Sequence, residues 1–158
     1  MKNIGQCMKS DVVSISVSAT IRKAASLFVK EHIGTLPVVN EKGELVGILH
    51  IRDLLELIMP SFVNLVEDFD FVLGDFSVFE NKLPSPGVAA QPVSSVMAPP
   101  VFVKSISGLL RAFAIMNKNR LYDIPVVDDD GLLVGLASRV DVGTALLADW
   151  KSTAKEEG

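Results

Sequence analysis

Ser138 and Asp141 stand three residues apart in GLASRVD (135–141), and the matching place earlier in the chain, GILHIRD (47–53), carries His50 and Asp53. A hydroxyl followed three residues later by a carboxylate is a capping box, in which each side chain satisfies a backbone N–H at the start of a helix. The first turn of a helix also welcomes an anion, so capping and ligand contact are compatible uses of one pair. Neutral imidazole keeps one donor and one acceptor, whereas imidazolium offers two donors, so His50 changes both bulk and charge at its site. Covalent chemistry has little to work with. The chain contains no Ser/His/Asp set, no paired-His metal motif and no P-loop.

The elements that must position these pairs are themselves repeated. Pro37 aligns with Pro125, Gly43 with Gly131, Gly47 with Gly135 and Asp53 with Asp141, each pair 88 residues apart. The same offset pairs Ile21, Ala24, Ala25 and Phe28 with Leu109, Ala112, Phe113 and Met116, the i, i+3, i+4, i+7 spacing of one helical face. Met8 and Val12 match Met97 and Val101 at 89, so one copy carries a single-residue indel, which a turn near Ser14 to Ser18 absorbs most cheaply.

Each copy predicts a strand (12–17; 101–104), an N-cap at Ser18 or Ser107, an amphipathic helix, two strands and a second helix starting near Asp53 or Asp141. Gly34 is expected to end the first helix. LPVV and IPVV open β-branched strands with proline at the entry, where a missing N–H is tolerated. NEKG and DDDG place Gly43 and Gly131 at the positive-φ position of a hairpin loop. A strand-helix-strand-strand-helix unit leaves one sheet face uncovered. The expected fold is therefore α/β (α+β), with two such subdomains packed sheet to sheet.

Composition narrows the partners. With 158 residues, 49% of them hydrophobic and 22% charged, the chain has enough apolar material for a core. Its 15 basic residues against 19 acidic ones, a formal net charge of −4, argue against a protein built to neutralise nucleic-acid phosphates. The single Cys7 excludes an internal disulfide and suits a reducing cytoplasm, where it serves as a small apolar residue. No apolar run approaches the roughly 20 residues of a membrane span, and the N-terminus does not read as a signal peptide.

The twofold recurrence of LPVV or IPVV, an acidic turn ending in Gly, LVGI or LVGL, and an Asp six residues after that strand's Gly resembles tandem cystathionine β-synthase (CBS) domains, the regulatory pairs also called Bateman modules. The resemblance covers about residues 4–58 and 92–148. It implies a pseudo-two-fold pair of subdomains, two clefts that hold adenine nucleotides or S-adenosylmethionine as regulatory ligands with no required cofactor, no catalysis within the module, and a disc-like homodimer formed through helices. The client is then a separate, unidentified protein.

In that family a Gly-apolar-x-Ser/Thr-x-x-Asp segment offers its hydroxyl and carboxylate to the ribose and phosphate side of the ligand, which carries over to Ser138 and Asp141. A carboxylate accepts the two donors of a ribose diol as charge-assisted hydrogen bonds. His50 departs from the pattern, so the Asp53 site is expected to be the weaker of the two. The resemblance also implies ligand-facing roles for Gly34 and Thr35 in the first copy and for Tyr122 and Asp123 in the second. Asp123 repels phosphate unless a cation such as Arg139 or Arg120 intervenes, which favours an uncharged or singly phosphorylated adenosine ligand over ATP. Val12 with Val13, and Val101 with Phe102, either sandwich an adenine or pack the core.

By sequence the chain divides into a first subdomain (1–59), a connection (60–92), a second subdomain (93–149) and a polar tail (150–158). The connection holds five of the eight Phe residues. Phe62, Leu65, Phe69, Val72 and Phe76 fall near helical spacing, predicting one or two short helices followed by an extended Pro-rich return. These aromatics either cover the chain's own core or form a docking surface for a second copy or a client.

Overall fold

The structure, a computed structural model, describes residues 2–59 and 83–150. The helices expected within 60–82 lie outside the described residues. In the first half, β1 (Ile15–Ser16) runs parallel to β2 (Thr35–Val39), which pairs antiparallel with β3 (Leu45–His50). Helix α1 (Ile21–Glu31) connects β1 to β2, and α2 (Ile51–Leu55) follows β3. After the short α3 (Pro86–Ala89) the plan repeats: β4 (Val103–Lys104), α4 (Leu109–Lys118), β5 (Asp123–Val127), β6 (Leu133–Ser138) and α5 (Arg139–Leu147). The two three-stranded sheets share one order and register, down to a bulge at Val38/Val39 and at Val126/Val127.

The helical stripes bury as their spacing dictates. Ala24 and Phe28 of α1 pack with Leu36, Val38 and Leu49, while Leu109, Ala112 and Met116 of α4 pack with Ile124, Val126 and Ala137. Ile21, Ile48, Ala89 and Val127 are buried outside these two clusters. The hairpin tips join the sheets: Leu45 donates its N–H to Gly131 O and Leu133 donates to Gly43 O, both at 3.1 Å. Gly43 and Gly131 both adopt φ of 81°, the left-handed geometry their turns require.

Several local boundaries differ from the sequence expectation. Thr20, not Ser18, caps α1, accepting from Lys23 N–H, because Ser18 instead pairs with the Ser16 hydroxyl. Gly108, not Ser107, is the N-cap of α4, since Ser107 is used in a turn to Lys104 and accepts from Ile4 N–H. The first helix ends on His32, whose φ of 52° is left-handed, so Gly34 is not its terminator. The first strand of each sheet, β1 and β4, is only two residues long, and Pro86 starts a helical turn capped by Ser85 where an extended return was expected.

Each half borrows the other's leader. Ile4, Cys7 and Met8 pack in the second half's core, whereas Val93, Val96 and Met97 pack in the first. Reciprocal backbone bonds fix the exchange, Lys9 with Leu136 and Ile48 with Ala98. Gly135 and Gly47 have no side chain because the Met8 and Met97 sulfurs lie where a Cβ would stand.

Candidate functional site

The exchanged leader brings both halves into one cleft of about 230 Å³. Ser138 and Asp141 enter it from the β6–α5 junction, and Asp123, the register partner of Ser138 at the start of β5, lies beside them. Val12, Val13, Gly34 and Thr35 come from the first half. Gly34 and Thr35 therefore reach the Ser138 cleft from the other half, although Thr35 is also the register partner of His50 in its own sheet and Gly34 O accepts from Ile51 N–H. Thr35 Oγ1 donates to Asp123 Oδ2 across this seam at 2.8 Å.

The capping box forms as expected. Asp141 N–H donates to Ser138 Oγ at 3.0 Å, and Ser138 N–H donates to Asp141 Oδ2 at 2.9 Å. This fixes the carboxylate at the cleft while leaving the Ser138 hydroxyl proton available for donation. A Cβ on Gly34 would meet nothing within 4 Å, so the glycine leaves space in the cleft without being needed for the backbone.

At the corresponding junction Asp53 Oδ2 accepts from His50 N–H at 2.7 Å, repeating half of that arrangement. His50 differs in its side chain, which is 13% exposed, with Nδ1 shut off from solvent and without a hydrogen-bond partner, 3.4 Å from Asp53 Oδ2. Burial pushes the imidazole below its ordinary 6.5; Arg52 acts the same way, and the carboxylates of Asp53 and Asp123 oppose them. His50, Asp53, Val101 and Phe102 are not among the residues lining the Ser138 cleft.

Arg139 and Tyr122 also stand outside it. The Arg139 guanidinium lies over the Tyr122 ring, 5.2 Å from its centroid, while Nε donates to Leu121 O. Arg139 is thus held at Tyr122, and the hydrogen-bond partner of Asp123 is Thr35, while neither Arg139 nor Arg120, the two arginines anticipated from sequence, lines the cleft. Lys9 and Asp11, which sequence reasoning did not single out, line the cleft together with Ile33 and Leu136. Their signal was position alone, just ahead of Val12.

The CBS domain family model matches residues 3–60 and 93–148, and the chain belongs to that family. It is 30% identical over 152 residues to the chloroplastic CBS domain-containing protein CBSX1 of Arabidopsis thaliana, covering 91% of this chain and 64% of that relative. The chain thus spans less than two thirds of CBSX1. Among solved structures it is similar to CBSX2 in complex with AMP, at 25% identity and a TM-score of 0.69 over 94% of this chain and 98% of that one. The CBS domain pair of MJ0100, solved with 5′-methylthioadenosine and S-adenosylmethionine, shares its fold at 19% identity, a TM-score of 0.67 and coverage of 94% and 98%. No helix among the described residues is long and apolar enough to cross a membrane.

Proposed function

We propose that the chain is a non-catalytic regulatory module that binds an adenosyl ligand in the Ser138 cleft and passes its ligand state to a separate protein. The carrying observation is that a cleft at the seam presents a carboxylate fixed by the Ser138–Asp141 box and is lined by residues of both halves. Asp141 would accept the ribose diol, Ser138 would donate to a ribose or 5′ oxygen, and Val12 and Val13 would flank the base. A ligand touching both halves biases their arrangement only through its differential affinity for the two states. The AMP complex of CBSX2 supports this ligand class.

The module is proposed to work in the cytoplasm as a homodimer. Val29, Leu55 and Leu83 are 82%, 51% and 87% exposed around an apolar groove of about 500 Å³ between α1 and α2, a face that a second copy would cover. Sedimentation of Val29→Glu with Leu55→Glu tests this, with a shift from dimer to monomer expected.

A ligand-independent scaffold is the second reading, favoured by Ser138 and Asp141 satisfying one another within the chain. Melting of the wild type and Asp141→Asn with AMP, ATP or S-adenosylmethionine separates the two, because the amide keeps an acceptor for the cap but loses the charge. Ligand at about 100 times its dissociation constant adds about 2.7 kcal/mol to the wild type, a shift of several degrees. A shift that the Asp141→Asn variant loses supports the sensor; no shift with any ligand sinks it.

A further inference from the structure

The charges around the Ser138 cleft bear on which adenosyl ligand it takes. Asp11, Asp123 and Asp141 line it against the single ammonium of Lys9. Thr35, a hydroxyl that would otherwise be offered to a phosphate, instead donates to Asp123. Arg139, the nearest guanidinium in sequence, is held at Leu121 O and over Tyr122, outside the cleft.

We infer that the cleft selects an adenosyl ligand whose 5′ substituent carries no phosphate chain and bears positive charge, an adenosyl sulfonium, and that Asp123 is the specificity-determining residue. This selectivity rests on the adenosyl-binding reading above. In this arrangement Asp141 accepts the ribose diol and Asp123 faces the 5′ side, where it attracts a sulfonium and repels phosphate. Asp11, exposed and also lining the cleft, adds to the same field. Lys9 is a single flexible counter-charge, too few donors to replace the water around a triphosphate.

The test is calorimetric titration of the full chain with S-adenosylmethionine, 5′-methylthioadenosine, AMP, and ATP with and without magnesium, repeated on Asp123→Asn and Asp141→Asn. The expected order is S-adenosylmethionine, then methylthioadenosine, AMP and ATP. Asp123→Asn, which keeps an acceptor for Thr35, should narrow the S-adenosylmethionine to ATP ratio about tenfold. Its unliganded melting temperature should stay near that of wild type. ATP binding more tightly than S-adenosylmethionine to the wild type, in either magnesium condition, overturns the inference while leaving the sensor reading intact. So does a ratio unmoved by Asp123→Asn when Asp141→Asn weakens every ligand. Failure of every ligand to bind overturns both.

Discussion

Gly34 and His50 put side-chain volume to opposite uses. Gly34 has open space where a side chain would stand, has no positive φ, and lines the cleft. Gly34→Leu should therefore abolish adenosyl binding by calorimetry while leaving the unliganded melting temperature within about 2 °C of wild type, as for a surface change of no more than about 0.5 kcal/mol. His50, by contrast, fills its position and is held below its ordinary value of 6.5 by burial. The unfolded chain then takes up a proton that the folded one refuses, so the stability from this group is complete above about pH 6.5 and is lost as the pH falls toward the lowered folded value. Urea midpoints should fall more steeply between about pH 7 and pH 5 for wild type than for His50→Gln. Parallel slopes would show that the imidazole is not the group responsible. The Ser138–Asp141 pair was legible because capping is a local, three-residue relation. Lys9, Asp11 and the approach of Thr35 to Asp123 across the seam were not, since they depend on how the two halves meet, and no short spacing encodes that.

Among the elements, the helices followed their periodicity and the central strands their apolar composition, while the ends of both did not. The continuous apolar, β-branched runs of the central strands, buried over four consecutive residues, and the apolar stripes of α1 and α4 are intrinsic to the local chain. Ser18 and Ser107 are good caps in isolation, but one is taken by Ser16 and the other by a turn that also receives Ile4. At α5 the local and tertiary choices agree: Ser138 Oγ accepts the N3 N–H of Asp141, and Asp141 returns the bond. Removing the hydroxyl with Ser138→Ala should cost about 1 kcal/mol, a fall in melting temperature of about 2–4 °C for a chain of this size. Ser138→Thr, which keeps the acceptor, should recover most of that loss. An unchanged melting temperature in Ser138→Ala would mean that α5 is held by Val142 in the core and not by its cap.

For the whole molecule, the exchange of leaders means that a repeat in sequence is not a unit in packing. Ile4 is fully buried in the second half's core and Val93 fully buried in the first, so each contributes to the half it does not precede by chain continuity alone. Ile4→Ala should cost about 2–5 kcal/mol through lost burial and the cavity left behind. Its mark on amide hydrogen exchange should be distinctive: protection should fall first at Leu121, Ile124 and Val126, far along the chain, before it falls at Leu36 and Val38. Val93→Ala should reverse that order. Loss confined to the first half in Ile4→Ala would instead describe two contiguous, independent repeats. The same leader runs from Ile4 through Lys9, which pairs with Leu136, to Val12 and Val13 at the cleft. Loosening Ile4 should then also weaken adenosyl binding although it touches no ligand, because the segment that joins the halves is the one that closes the site. Under the proposed function, in which output depends on how the halves are arranged, the leader would be the contiguous segment through which cleft occupancy reaches the core of each half, and the Ile4→Ala binding measurement is its test.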